Sequence, residues 1–237
     1  MNLQRFWEEV QSRIARHDLL CHPFYKAWAA GELSAADLRE YAADYYHHVA
    51  AFPTYLSALH ARLEEGELRR RVLHNLCDEE GIDSPDTRSH AELWLDFAEG
   101  MGAEREQVRA RRPVREVEQL IQTFRRMAAE EPVVAALAAF YAYESQVPRV
   151  AKEKAKGLRE FYEADRKTCA YFDLHTMADI YHAQVWRDEL EALVAEHPEQ
   201  AEQALRATEE CAQALWRALD GIERGRVARR AGASAAD

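Results

Sequence analysis

The sequence predicts an all-α protein built as one bundle of helices, and three observations support this fold class. Only 9 glycines and 7 prolines occur in 237 residues, too few for the many turns of a sheet protein. Apolar residues, 48% of the chain, recur at the spacing of helices in one segment after another. No segment has the alternation that would predict a strand. A chain of this length can bury one large core, so we expect a single domain over residues 1–223.

Three helices are predicted at the start of the chain. The second begins at Pro23, which fits a first helical turn, and ends at Gly31. Ser34 and Asp37 then resemble a capping box before a long third helix, which Pro53 should kink. The first helix is amphipathic, and its apolar face is formed by Leu3, Phe6, Val10 and Ile14.

Two further helices flank a polar loop. One runs from Glu67 to about Glu80, and the other is capped by Ser89 and ends at Gly100. Residues 81–89 between them are dense in turn-forming residues, so we expect a loop there.

The second half of the chain begins after Pro113 with a predicted helix over residues 114–130. Pro132 opens a helix that is apolar on nearly all sides, as expected for a helix buried on most of its surface, yet it carries Glu144. A shorter segment follows Gly157.

Two more helices complete the bundle. Residues 171–182 are expected to form one, and a last amphipathic helix begins at Pro198. Residues 224–237 hold arginines and small residues without a core pattern, and we expect a disordered tail there.

Composition limits the partners of this protein. The net charge of -11 disfavours nucleic acid and anionic membrane surfaces, since both would be repelled. No stretch approaches the ~20 apolar residues that cross a bilayer, and the start lacks a signal-peptide pattern, so we expect a cytoplasmic protein that binds small molecules or proteins. The cysteines are scattered without a CxxC pair, which predicts neither a zinc site nor disulfides: Cys21, Cys77, Cys169 and Cys211.

A candidate metal-binding face lies in the helix predicted over residues 171–182. On one helix, His175, Asp179 and His182 stand at positions i, i+4 and i+7, within roughly 60° of arc. Two imidazoles and a carboxylate suit a redox-capable divalent ion such as iron or manganese, with positions left open for oxygen or a substrate. The alternative is a helix whose polar face happens to carry histidines.

Glu144 is a candidate fourth ligand. It lies in an apolar helix, where an ionised carboxylate is costly unless it is paired, hydrogen-bonded or bound to a metal. A buried salt bridge to Arg149 or Lys152 is the alternative.

Residues on either side of the polar loop raise the number of ligands to six. Glu79 or Glu80 precedes the loop and His90 follows it. Carboxylates and histidines that project inward from facing helices can hold two metal ions in a bundle. The alternative for the acidic residues 78–80 is a solvated helix end.

Several blocks of sequence together resemble a known family. They are residues 24–33, 41–60, 75–80, 143–149 and 175–182, and the resemblance extends from about Phe6 to Leu219. The family is that of the Chlamydia protein associating with death domains and its bacterial relatives. It belongs to the haem-oxygenase-like di-metal oxidases, a superfamily that also contains the TenA thiaminases and the oxidase of pyrroloquinoline quinone biosynthesis.

The resemblance implies a haem-oxygenase-like bundle of about seven to nine helices, two transition-metal ions and oxygen as a co-substrate. The metals would be two irons, or manganese with iron, in a protein that is a homodimer. The loop at residues 81–89 is about four residues longer than in the family pattern, so Glu80 stays an alternative to Glu79. The implied ligands are Glu79, His90, Glu144, His175, Asp179 and His182.

The resemblance also implies an activity, the oxygen-dependent synthesis of para-aminobenzoate for folate. In the family scheme a tyrosine of the protein itself supplies the aromatic ring, which allows a single turnover. Tyr25 matches that tyrosine, Lys154 matches the proposed amino donor, and Tyr143 and Tyr171 match aromatic residues that could relay a radical. Their alternatives are core aromatic residues and a surface lysine whose stem covers apolar area.

Four other functions are compatible with parts of the sequence. A di-metal oxidase that acts on an external small molecule would use the same ligands. A thiaminase would need an activated cysteine, for which Cys169 or Cys77 is the candidate, and neither has a basic neighbourhood that favours a thiolate. Haem binding would not explain most of the acidic side chains that are predicted to face the interior of the bundle. A non-enzymatic bundle that binds a protein partner is the fourth, although no surface marks such a partner.

Overall fold

The computed structural model describes residues 2–82 and 87–234, and within these ranges the chain is almost entirely helical. Short 3₁₀ turns at Leu19–Cys21 and Pro198–Gln200 precede the second and the last α-helix. No strand occurs in the described residues, so the all-α prediction is confirmed. The helices are α1 Leu3–Ala15, α2 Pro23–Ala29, α3 Ala35–His60, α4 Glu67–Glu80, α5 His90–Gly100, α6 Arg105–Ala110, α7 Arg115–Ala129, α8 Val133–Glu144, α9 Val147–Phe161, α10 Arg166–His175, α11 Ala178–Glu196 and α12 Ala201–Ser234.

Local capping explains several helix boundaries that the sequence predicted. Ser34 Oγ accepts the backbone N–H of Asp37, and Asp37 Oδ2 accepts the backbone N–H of Ser34, which completes the capping box of α3. Ser89 Oγ accepts the N–H of Glu92 at the start of α5. Gly31 has a positive φ of 69° just after α2, a conformation that glycine adopts without strain.

The described residues contain more helices than expected because short breaks divide long helical stretches. α6 was not predicted at all. In contrast, the break expected near Gly157 is absent, and α9 continues through this residue. A Cβ atom at Gly157 would lie 2.8 Å from Trp28 Cδ1, so the glycine allows α9 to pack closely against α2.

The polar loop between α4 and α5 lies partly outside the described residues, as residues 83–86 are not among them. Gly81, with a φ of 66°, ends α4 in the left-handed conformation. The side-chain hydroxyl of Thr87 donates to the carbonyl of Gly81 at 2.8 Å, which brings the two ends of the loop together.

The end of the chain differs from the sequence prediction. α12 continues to Ser234, so the disordered tail predicted from residue 224 is wrong for the part that the structure describes. Alanine and arginine favour helix, and the guanidinium groups of Arg229 and Arg230 lie 3.3 and 3.4 Å from Asp37 at the start of α3. These contacts hold the end of α12 against the bundle.

The buried helix α8 forms the centre of the bundle and positions one candidate ligand. It packs against α7, α11 and α12, and its residues from Val134 to Glu144 are all buried, as the apolar sequence predicted. None of the helices in residues 2–82 and 87–234 combines the length and apolar character that a bilayer crossing requires.

Candidate metal centre

The first group of candidate ligands brings together three helices. Glu79 of α4, His90 of α5 and His175 at the end of α10 are buried, and one donor atom of each lies within 4.8 Å of the others. His90 Nδ1 approaches Glu79 Oε2 to 2.8 Å, yet this nitrogen makes no hydrogen bond with any described residue. A buried imidazole nitrogen and a carboxylate oxygen this close together can both bind one cation.

The orientation of His175 is set by its own helix. Its Nδ1 lies 2.7 Å from the carbonyl oxygen of Tyr171, and because a carbonyl only accepts, the imidazole must donate there. The lone pair of Nε2 is then available to a metal. Burial lowers the pKa of His175 to about 4, so the ring is neutral, as a metal ligand must be.

The second group joins α8 to α11. Glu144, Asp179 and His182 are buried, and their donor atoms also lie within 4.8 Å of one another. His182 Nδ1 lies 3.3 Å from Asp179 Oδ1, and its Nε2 lies 3.0 Å from Oδ2 of Asp78 on α4. Asp78 thus reaches the site from the same helix as Glu79.

Glu144 is held by neutral groups. Asn75 Nδ2 donates to its Oε1 at 3.3 Å, and the indole N–H of Trp186 donates to its Oε2. Neither of the salt bridges considered for Glu144 forms, since Arg149 pairs with Asp18 and Lys152 is exposed.

Protonation offsets the buried negative charge of the second group. Burial raises the pKa of Glu144 to about 8, and repulsion by Asp179 adds to the shift, whereas His182 opposes it. Burial opposes the charged form of His182, but the hydrogen bonds that its imidazole donates to Asp179 and Asp78 outweigh burial and raise its pKa to about 11. Three buried carboxylates with three imidazoles need positive charge, so the residues fit two divalent cations.

The candidate ligands predicted to lie on one helix are divided between two helices and two groups. The prediction of a single helix over residues 171–182 is wrong, because α10 ends at His175 and α11 begins at Ala178. The hydroxyl of Thr176 donates to the carbonyl of Phe172, which helps to end α10. The three candidate ligands therefore do not converge on one point, and His175 joins the first group while Asp179 and His182 join the second.

The choice between Glu79 and Glu80 follows from the helical position of each residue. Glu79 is buried with a 5% exposed surface and belongs to the first group, whereas Glu80 is exposed. The structure thus brings Glu79 to the site.

A second buried cluster surrounds the amine of Lys154. Its Nζ donates to the hydroxyl oxygen of Tyr25 at 2.7 Å and to that of Tyr41 at 2.6 Å, and the two phenol oxygens lie 3.0 Å apart. Lys154 is therefore buried, and the alternative interpretation of it as a surface lysine is wrong. Sequence reasoning missed Tyr41, whose only signal was its position on the aromatic face of α3.

Burial sets the protonation of this cluster. It lowers the pKa of the Lys154 amine well below its usual value, and it raises the pKa values of Tyr25 and Tyr41 well above theirs. Burial therefore favours the uncharged form of the amine and of both phenols. Lys154 Nζ also lies 4.2 Å from the centroid of the Tyr25 ring.

Two tyrosines lie between this cluster and the candidate ligands. The ring of Tyr171 stacks on His175 with centroids 4.0 Å apart, and Tyr143 precedes Glu144 in α8. Both tyrosines line a cavity of about 20 Å³ with Tyr25 and Lys154, which is room for roughly one water molecule. All four residues named from the resemblance thus border one space.

The sequence places the chain in a known class of proteins. Residues 39–216 match the family described as iron-containing redox enzymes. This match covers more than half of the chain, and the chain belongs to that family. It is therefore an enzyme of an iron-containing redox class, and the resemblance noted in the sequence is confirmed.

Within this class the chain is homologous to 4-aminobenzoate synthases. The one from Nitrosomonas europaea is 39% identical over 232 residues, which cover 94% of this chain and 92% of the relative. The one from Chlamydia pneumoniae is 36% identical over 215 residues, or 91% and 93% of the two chains. That from Chlamydia trachomatis is 37% identical over 218 residues, or 92% and 91%.

Solved structures share the fold at low sequence identity. A domain with a haem oxygenase-like fold from Shewanella denitrificans has a TM-score of 0.80 at 18% identity, covering 98% of this chain and 96% of that one. A TenA homologue from Pseudomonas syringae has a TM-score of 0.78 at 18% identity, covering 93% and 92%. A CADD-like protein from Nostoc punctiforme has a TM-score of 0.64 at 18% identity, covering 91% and 99%. The predicted haem-oxygenase-like fold is confirmed.

Proposed function

We propose that this protein is an oxygen-dependent 4-aminobenzoate synthase, that is, an enzyme that makes para-aminobenzoate as a folate precursor. Tyr25 supplies the aromatic ring and Lys154 supplies the nitrogen. The observation that carries the proposal is the 2.7 Å contact between Lys154 Nζ and the Tyr25 hydroxyl oxygen inside the protein. The homology to 4-aminobenzoate synthases at 36–39% identity supports the identity of the product.

The chemistry of the product fits this pair of residues. The carbon skeleton of a tyrosine side chain is that of 4-aminobenzoate, in which nitrogen stands where tyrosine carries its hydroxyl. The amine that replaces the hydroxyl must therefore reach the ring carbon next to that oxygen, and Lys154 Nζ lies against it. Burial lowers the pKa of the Lys154 amine well below its usual value, which favours the neutral form whose lone pair can form a bond.

The candidate ligands would hold two ions. Glu79, His90 and His175 would bind one, and the group of Glu144, Asp179 and His182 the other. Two bound redox-active ions, iron or manganese with iron, would supply the activation of dioxygen.

Tyr143 and Tyr171 connect the two parts of the site. Their rings lie between the candidate ligands and the Tyr25 and Lys154 pair, and burial raises the pKa values of both phenols well above their usual range. We assign them the transfer of electrons from Tyr25 toward the ligand groups. The nearly closed interior keeps bulk water away from oxidised side chains.

This scheme breaks the Cα–Cβ bond of Tyr25, whose Cβ is oxidised by dioxygen to the carboxylate, and the Cε–Nζ bond of Lys154, while the phenol oxygen leaves as water. Both side chains are consumed, so each chain turns over once. Its product is a small aromatic acid and its reagents are oxygen and internal side chains, so no protein partner or nucleic acid is needed. A cytoplasmic homodimer is the form of the protein that we propose.

A second function has a specific observation in its favour. A groove of about 450 Å³ borders His90 and His182, and Lys154 is not among its lining residues. An external small molecule in that groove would be the substrate of a di-metal oxidase, with Tyr25 left intact. The thiaminase alternative has no such support, because burial raises the pKa of the Cys169 thiol.

Intact-mass spectrometry separates the two functions. The protein is analysed before and after it receives iron, manganese, a reductant and oxygen. We expect a mass loss at Tyr25 and at most one 4-aminobenzoate released per chain. Repeated turnover of an added substrate with Tyr25 intact would refute the self-sacrificing scheme.

Two variants make the mass experiment specific. Tyr25→Phe should release no 4-aminobenzoate, since its ring lacks the oxygen that is exchanged. Tyr55→Phe is the matched control, because Tyr55 is also buried in the aromatic core but its hydroxyl has no hydrogen-bond partner among the described residues. This control should behave as the unaltered protein does.

A further inference from the structure

A row of three metal-ligating side chains leads from the surface of α4 to the second ligand group. Oδ2 of Asp78 lies 3.4 Å from His74 Nδ1 and 3.0 Å from His182 Nε2. The side chain of His74 is 64% exposed, that of Asp78 is 28% exposed and that of His182 is 3% exposed. One carboxylate oxygen thus stands between an imidazole in solvent and an imidazole in the interior.

The row opens beside the groove that borders the ligands. This groove, of about 450 Å³, lies between α4, α5, α10 and α11. Its lining includes Asp78, His90 and His182, so one candidate ligand from each group is reached from it. A buried metal centre needs a path by which ions enter, and the groove with its row of donors supplies one.

We propose that His74 and Asp78 form a metal-uptake site, at which a divalent cation exchanges water for protein ligands before it passes to His182. The proposal rests on the metal centre of the proposed function. An imidazole and a carboxylate at positions i and i+4 face the same side of a helix and can hold one ion together.

The geometry explains why these residues would affect the rate of loading and not the final occupancy. An ion bound to Oδ2 of Asp78 would release His74 and bind His182 while it stays on the same oxygen. The water molecules around the ion are therefore replaced by protein ligands one at a time. The negative charge of Asp78 also raises the local concentration of cations at the groove. The final site has other ligands, Glu144 and Asp179, which neither substitution removes.

The test follows Co²⁺ uptake by metal-free protein without oxygen. The visible absorption of bound cobalt gives the rate, and elemental analysis gives the final cobalt per chain. Asp78→Asn should slow uptake roughly tenfold, the lower end of the effect of local charge on association rates. His74→Ala should also slow uptake because it removes one of the two uptake ligands, and both variants should keep the final cobalt content. Added salt should slow uptake by the unaltered protein more than by Asp78→Asn.

The matched control is His197→Ala, which removes another exposed histidine next to acidic residues, at the far end of α11. It should load at the unaltered rate. Asp78→Asn keeps an oxygen that can accept a hydrogen bond from His182, so orientation of the ring is preserved.

Three results would overturn the uptake site. Uptake by His74→Ala at the unaltered rate is the first. The second is a lower final cobalt content of Asp78→Asn with an unchanged rate, because Asp78 would then only orient His182. If the unaltered protein binds no cobalt, the metal centre itself is refuted, and this outcome differs from a failure of the uptake site alone.

Discussion

Trp186 donates its indole N–H to Glu144 Oε2 from the same helix that carries Asp179 and His182. The carboxylate of the second candidate ligand group is therefore oriented by a residue one helical turn beyond His182. Hydrogen bonds of this kind hold a ligand in place and tune how strongly it binds a metal.

Trp186→Phe should weaken metal binding at the second group. The change removes one hydrogen bond to Glu144, and loss of such support costs roughly 10- to 100-fold in metal affinity. Competition with a chelator measures the effect. Trp7→Phe is a matched control, since Trp7 donates to Glu191 of the same helix away from the candidate ligands. Equal affinities of the two variants would contradict the assigned role.

Each ligand group should hold one ion of its own. We expect about two ions in the unaltered protein and about one after His175→Ala or after Glu144→Ala, because each change disables one group. The two single variants should lose different ions, so a double variant should retain none. Elemental analysis checks this, and unchanged metal content in either variant would disprove that group.

Metal binding at the second group should strengthen as pH rises. Without metal, Glu144 and His182 hold protons, because their pKa values are about 8 and about 11, and both protons must leave when an ion binds. Affinity should therefore rise from about pH 6 to about pH 8 and continue to rise more slowly above it. The measurement uses His175→Ala, which retains only this group, with calorimetry in buffers of different ionisation enthalpy. An affinity that does not change with pH would contradict the shifted pKa values.

Lys154→Met should abolish 4-aminobenzoate release and make the fold more stable. Removing a buried polar amine should raise the free energy of unfolding by about 1 kcal/mol, while Tyr25 and Tyr41 still bond to each other. Lys152→Met, at an exposed position nearby, should leave both properties unchanged. Product release by Lys154→Met would exclude Lys154 as the nitrogen source.

The stability effect of Lys154 has a predicted pH dependence. The amine is charged in the unfolded chain below a pH of about 10, whereas burial lowers its pKa well below that value in the folded protein, so folding favours the release of a proton. The stability of the unaltered protein therefore falls as the pH drops, and the gain from methionine should be larger at neutral pH than at about pH 10. Chemical denaturation at both pH values measures the difference.

The sequence by itself determined the fold class, most helix boundaries and the residue types of the site. Helix starts such as those at Pro23, Ser34 and Ser89 depend on contacts within a few residues, so local sequence is sufficient to predict them. Glu144 was identified for a similar reason, because an acid in a helix that is apolar on all sides must be buried.

Tertiary structure decided how those residues are combined. The break between His175 and Ala178 contains neither glycine nor proline, so no local signal marked it, and the division of the ligands into two groups depends on it. The contact between Tyr41 and Lys154 joins residues 113 positions apart. Such pairs form only when separate helices pack, and a sequence pattern describes one helix at a time.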